Sequence, residues 1–163
     1  MVTLTLEHAH EVVAAVLDPE VPVLTIADLG VLRDVAFDDD GAVEVTITPT
    51  YSGCPAMDAI RTDIGRALTD GGFPAFRVHT VLSPAWTTDW MSDEGKRKLL
   101  AYGIAPPTRR TPEAGPVAVG LSVRCPQCGS PDTRETSRFG STACKALWVC
   151  NSCREPFDSF KAI

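Results

Sequence analysis

Apolar positions recur along this chain in two spacings, and the changes between them mark the elements. Leu6, Ala9, Val13, Val16 and Leu17 fall on one helical face, which predicts a helix over Leu6 to Leu17 capped by Thr5 or Thr3. Asp18-Pro19-Glu20 ends it, because proline cannot continue the hydrogen-bond ladder. Two prolines predict an extended Val21-Pro22-Val23-Leu24, and Asp28-Leu29-Gly30 reads as a turn. Val31 to Phe37 is a strand candidate whose alternation weakens at Arg33 and Asp34. Asp38-Asp39-Asp40-Gly41 has the chemistry of a hairpin turn. Val43, Val45 and Ile47 then alternate with Glu44, Thr46 and Thr48, the period of a half-buried strand. After Pro49-Thr50-Tyr51-Ser52-Gly53 the period becomes helical, with Met57, Ile60, Ile64 and Leu68 on one face as far as about Asp70. Gly71-Gly72 closes that helix, and Phe76, Val78 and Thr80 lead a third strand. Helix, strand, strand, helix, strand predicts a small two-layer α+β domain.

Beyond it, Trp86 and Trp90 are expected to pack on the first domain. A helix is predicted to start near Ser92, with Gly103 past its end. Pro106, Pro107, Pro112 and Pro116 make a semi-rigid linker, with Arg109-Arg110 as a solvated part of it. The predicted division is therefore 1–104 for the first domain with its helical extension, 105–122 for the linker, and 123–163 for a separate C-terminal unit.

Composition narrows the function. The net charge of −6 argues against a nucleic-acid surface. From Val123 onward there are six basic and four acidic side chains, a small excess that four metal-bound thiolates would cancel. The N-terminal residues lack the pattern of a signal peptide, and no apolar run is long enough for a membrane span. Five of the six cysteines lie in the last 40 residues. Four of them form two C-x-x-C pairs, which without a leader reads as metal binding in the cytoplasm.

Cys125-Pro126-Gln127-Cys128 and Cys150-Asn151-Ser152-Cys153 each predict a tight turn, and the 21 intervening residues suffice for a hairpin that brings the turns together. Four thiolates so arranged suit tetrahedral zinc as a zinc-ribbon β-hairpin, with disulfides or an iron–sulfur cluster as rivals. A full set of four protein ligands makes the zinc structural. Cys144 is left over beside Lys145, either a packed thiol or one whose ionisation the lysine promotes. Cys54 precedes a proline suited to a first helical turn, which places it at or next to the N-cap. There the free N–H groups and the helix dipole favour thiolate, with Asp58 opposing. A small buried hydrophobe is the other reading of Cys54. His8 and His10 are expected at the surface, and His79 on a strand in a structural role. No nucleophile–base pair follows from the spacing, so the chain is read as an accessory protein and not an enzyme.

Asp18-Pro19-Glu20-Val21-Pro22-Val23, Asp28-Leu29-Gly30 and Gly53-Cys54-Pro55 together resemble the SufT-like family of iron–sulfur cluster assembly factors. The resemblance covers roughly the first half of the chain. The segments from Ser83 to Trp90, Tyr102 to Pro107, Phe139 to Lys145 and Glu155 to Lys161 resemble PaaD-type D components of the phenylacetyl-CoA ring-epoxidase system of aerobic bacteria. The resemblance implies a maturation role in phenylacetate catabolism, with iron or an iron–sulfur cluster supplied to the epoxidase's oxygenase or reductase component. It makes Cys54 the ligand of a transient iron or cluster and Asp18 and Glu20 orienting groups or hard ligands. Thr50 and Ser52 would donate hydrogen bonds to a bound sulfur. One cysteine cannot hold a cluster alone, so a homodimer meeting at Cys54 or a client thiol is expected to complete the shell. A non-catalytic structural subunit of the epoxidase is the alternative. A zinc-ribbon nucleic-acid binder and a Cys54 thiol enzyme rank behind both.

Overall fold

The computed structural model describes residues 4–108 and 123–163. Arg109, Arg110, Pro112 and Pro116 of the expected linker, and Thr3 of the expected cap, lie outside the described residues. The chain forms two compact units, one ending at Gly95 and the other beginning at Lys96.

In the first unit the elements run α1 (Leu6–Ala14), β1 (Leu32–Phe37), β2 (Val43–Ile47), α2 (Ala56–Asp70) and β3 (Phe76–Thr80). The three strands order β1-β2-β3, with β1 antiparallel and β3 parallel to β2. A parallel neighbour needs a long crossover, and α2 is that crossover. Val43, Val45 and Ile47 are fully buried, and Ile60, Ile64 and Leu68 of α2 are buried with them. α1 packs against α2 and β1, burying Ala9 and Val13. This is the two-layer α+β order that the apolar spacings predict. The weak alternation at Arg33 and Asp34 has a structural cause, since the register of β1 on β2 shifts between Leu32 and Asp34.

Two expectations fail before β1. The first helix stops at Ala14 and not at Leu17, and Leu17 is about half exposed. The Val16 carbonyl accepts from the Ile26 amide at 2.8 Å and Leu17 forms a β-bridge with Thr25, so this backbone is committed to another partner. Thr5 is the cap, accepting from the His8 amide. The segment from Val21 to Leu24 is folded into turns and not extended. Asp18 is 6% exposed, and its carboxylate accepts the Glu20 and Val21 amides at 2.9 and 2.7 Å. This Asx-type closure outweighs the extended bias of Pro22. His8, expected at the surface, is half-buried, its ring 5.6 Å from that of Phe73 and Nε2 3.3 Å from the Gly71 carbonyl. His10 is exposed.

A segment without regular strands follows β3 and returns across the first unit. Trp86 is buried and donates its indole N–H to the Leu29 carbonyl at 2.9 Å. Trp90 is half-buried beneath the Arg33 guanidinium. The third helix, α3 (Asp93–Ala101), begins one residue after Ser92, whose hydroxyl accepts from the Gly95 amide.

The second unit is a four-stranded sheet in the order β4-β7-β6-β5, made of β4 (Ile104–Ala105), β5 (Thr133–Ser137), β6 (Lys145–Cys150) and β7 (Pro156–Phe160). The β5–β6–β7 meander is antiparallel, and β4 adds in parallel to β7. Its core is Ala105, Cys125, Cys150 and Phe157, with Val123, Trp148 and Cys153 packed against it. No helix among the described residues is long and apolar enough to cross a membrane.

Leu68 has no exposed surface and lies in the last turns of α2. Leu68→Ala is expected to cost about 3 kcal/mol of first-unit stability, through lost burial and the cavity left behind. Urea denaturation followed by circular dichroism measures this as a lower midpoint with an unchanged slope.

Candidate metal centre and the Cys54 loop

The two C-x-x-C turns are built alike. In the first, the Cys125 amide donates to the Ser130 carbonyl and the Gly129 amide to the Cys125 carbonyl. In the second, the Cys150 amide donates to the Glu155 carbonyl and the Arg154 amide to the Cys150 carbonyl. Each turn needs a left-handed residue after its second cysteine. Gly129 supplies it with φ +74°, and Arg154 does so at φ +68° without glycine's freedom. The turns are tied to each other by a Ser130–Ser152 hydroxyl contact at 2.8 Å. Asn151 adds two hydrogen bonds to Asp132, one from its amide and one from its side chain.

These turns bring all four sulfurs within 4.8 Å of one another, with Cys125–Cys153 at 3.7 Å and Cys128–Cys150 at 3.6 Å. A disulfide needs about 2.0 Å between sulfurs, so these are not bonded pairs. A tetrahedron with metal–sulfur bonds of about 2.3 Å has edges of about 3.8 Å, which the tetrad matches. A cluster core between the sulfurs would spread them further. The donor set therefore fits one tetrahedral cation. The Cys153 amide lies 3.4 Å from the Cys150 sulfur. Hydrogen bonds from the Cys153 and Ser152 amides lower the Cys150 thiol below its ordinary range, while desolvation and the neighbouring sulfurs raise that of Cys153. Cys144 is buried, its sulfur 3.0 Å from the Thr142 hydroxyl, as a packed thiol outside the tetrad.

The Cys54 site is made by loops at the far end of β2. Thr48 to Gly53 leaves the strand, with Gly53 at φ +81°, and Cys54 follows, half-buried. Pro55 is the N-cap and α2 starts at Ala56, so Cys54 stands one residue outside the cap. The expected thiolate preference is overturned here. Burial raises the thiol above its ordinary pKa, and Glu20 and then Asp18 add to the rise, against hydrogen bonds from the Ala56 amide and Tyr51. The helix start does act, but it is outweighed by desolvation and by carboxylates from the loop of Asp18 to Gly30, where the sequence suggested Asp58. Asp18 and Glu20 are thus brought within electrostatic reach of Cys54 from a distant part of the chain. Thr50 is half-buried and Ser52 exposed in the turn preceding Cys54. Tyr51 was not singled out by the sequence. A phenol three residues before a cysteine is too common a feature to flag, and only the turn geometry aims it at the thiol. His79 is exposed on β3 and pairs with Glu44 at 3.4 Å.

Residues 8–82 match the model of the iron–sulfur cluster assembly protein family, and residues 109–161 match that of the PaaD zinc beta ribbon domain. An Escherichia coli protein described as a candidate D component of 1,2-phenylacetyl-CoA epoxidase is 46% identical, covering 100% of this chain and 98% of that one. The chain belongs to the PaaD family. Its first part is also similar to the Fe-S protein maturation auxiliary factor YitW of Bacillus subtilis, 40% identical over 55% of this chain and 84% of that protein. Among solved structures, a domain of unknown function from Bacillus anthracis is 29% identical with a TM-score of 0.54, covering 58% of this chain and 90% of that one. PaaD family membership accounts for the joining of an assembly-type α+β unit to a four-cysteine ribbon in one chain.

Two outcomes follow. Stripping metal with a strong chelator, or Cys150→Ser, is expected to collapse the amide dispersion of residues 123–163 in NMR spectra while first-unit resonances persist. At Cys54, neutral thiol is favoured in the folded protein, so alkylation is expected to be slow at neutral pH and to accelerate on the alkaline side of an ordinary cysteine. Glu20→Gln removes an opposing charge and should move that profile toward lower pH, read as alkylation rate by peptide mass spectrometry.

Proposed function

We propose that this chain is a non-catalytic accessory protein of a phenylacetyl-CoA epoxidase, acting in the cytoplasm to deliver iron or an iron–sulfur cluster to the oxygenase or reductase component. What carries this reading is that the loop bearing Asp18 and Glu20 folds within electrostatic reach of the Cys54 thiol, in a chain similar along its whole length to a protein described as a candidate epoxidase D component. The similarity of the first part to Fe-S maturation factors supports the same assignment.

The chemistry of the site suits cargo better than a resident cofactor. Carboxylates favour iron as hard ligands and thiolate favours clusters, so the mixed set serves an ion in transit. An empty site keeps Cys54 protonated and so protected from oxidation. An arriving cation would displace that proton, since a coordinating thiol is deprotonated outright. The Thr50 and Ser52 hydroxyls, in the adjacent turn, are offered as donors to a bound sulfide. A cluster needs about four thiolates, so its shell would be completed by a second copy or by the client. In this reading the Cys125, Cys128, Cys150 and Cys153 tetrad holds structural zinc, because four protein thiolates leave no position open for exchange. The alternative, a structural component of the epoxidase, draws its support from the E. coli relative being described as part of that complex.

The test is metal and acid-labile sulfide per chain on anaerobically purified wild type and Cys54→Ser. About one zinc in both proteins is expected from the tetrad. Iron and sulfide in the wild type that disappear in the variant support delivery. Zinc alone in both, together with unchanged cofactor content of an epoxidase matured without this chain, favours the structural role.

A further inference from the structure

The loop from Asp18 to Gly30 carries both carboxylates of the Cys54 site yet contains no helix or strand. Something outside the loop has to fix it. Within the loop, the Asp18 amide donates to the Leu24 carbonyl at 2.9 Å and Leu17 bridges Thr25. Thr25 is locked to Asp28 in both directions. The Thr25 amide donates to Asp28 Oδ2 at 3.1 Å, and the Asp28 amide donates to Thr25 Oγ1 at 3.0 Å. Asp28 itself is 8% exposed and is held from the segment that follows β3. The Ser92 hydroxyl donates to Asp28 Oδ1 at 3.2 Å, and the Ser92 amide donates to the Asp28 carbonyl at 2.9 Å.

The neighbouring contacts act in the same direction. The Trp86 indole holds the Leu29 carbonyl. Gly30 lies so close to Trp90 that a Cβ added there would stand 2.5 Å from the Trp90 carbonyl oxygen. The Arg33 guanidinium sits 3.6 Å from the Trp90 ring centroid. A Cβ on Gly95 would meet the Asp28 carbonyl at 3.0 Å. Trp86 to Gly95 is therefore a strap across Asp28, Leu29, Gly30 and Arg33, with hydrogen bonds from Ser92 to Asp28 and from Asp28 to Thr25, whose chain neighbour Leu24 accepts from the Asp18 amide.

We propose that this strap is a positioning element of the Cys54 site, with Ser92 through Asp28 and Trp86 through Leu29 setting where Asp18 and Glu20 stand relative to the thiol. The proposal rests on the reading of Cys54, Asp18 and Glu20 as one site. Ser92 also accepts from the Gly95 amide at the start of α3, so one side chain both caps that helix and anchors the acidic loop. Asp28-Leu29-Gly30 is thereby more than a turn. Aspartate grips Thr25 and Ser92, the leucine carbonyl receives the indole, and glycine at φ +74° leaves room for the Trp90 backbone.

The test is the alkylation rate of Cys54 in the full chain at one mildly alkaline pH, read by peptide mass spectrometry. Ser92→Ala and Trp86→Phe, which keeps the ring and deletes the donor, are each expected to speed alkylation about threefold as the carboxylates move off the thiol. Ser92→Thr keeps the hydroxyl and should restore the wild-type rate. Val13→Ala, a core change in α1 away from the strap, should lower the melting temperature and leave the rate unchanged. The deciding arm is the double variant Ser92→Ala/Glu20→Gln, measured against Glu20→Gln alone. A strap effect that vanishes without the Glu20 charge supports the proposal. An unchanged rate in Ser92→Ala, or equal acceleration with and without Glu20, overturns it. Failure of Glu20→Gln itself to change the rate would instead sink the reading of Glu20 as part of the site.

Discussion

The burial of Val43, Val45 and Ile47 on β2 fixes where the chemistry of the first unit is found. That strand pairs on both sides, with an antiparallel neighbour made locally and a parallel one reached through α2. Because β3 is parallel, the chain leaves both β2 and β3 at the same end of the sheet. The turn of Thr50 to Gly53 with Cys54 therefore emerges where the residues after Thr80 also emerge. The acidic loop before β1 is delivered to the same end by the antiparallel pairing, since β1 starts opposite the end of β2 with Leu32 facing Ile47. Three loops from separate parts of the sequence thus converge without any of them being regular structure.

Sequence periodicity exposed the strands and helices of this arrangement well, because each apolar set is selected by a single buried face. Ala9, Val13, Val45, Ile60 and Ile64 read correctly for that reason. The loop from Asp18 to Gly30 was not legible in the same way. Its conformation is decided by side-chain carboxylates, that of Asp18 accepting backbone amides within the loop and that of Asp28 accepting the hydroxyl of a serine 64 positions later. Nothing in the spacing of Pro19 and Pro22 reports such partners. The chemistry of Cys54 was half legible. Its place beside a helix start followed from Pro55, but the sign of the effect on its thiol depends on burial and on Glu20, which is 34 residues distant and close only after folding.

The ribbon presents the opposite case. Two C-x-x-C turns specify their geometry so locally that the tetrad could be drawn from spacing alone. The partner at the sheet edge could not be. A two-residue strand has no periodicity to detect, and Ile104–Ala105 follows a glycine at φ +87° that turns the chain out of α3.

That edge strand bears on what counts as the ribbon. The family match begins at residue 109, yet β7 is flanked on one side by residues 104 and 105, paired with Asp158 and Ser159. A fragment cut at the motif boundary would leave the backbone of β7 unpaired along that side, an edge of the kind that recruits strands from other molecules. The portable module is therefore larger than the motif that identifies it. Any chain that borrows this ribbon must carry the stretch from Ile104 with it, or supply another strand to close the sheet.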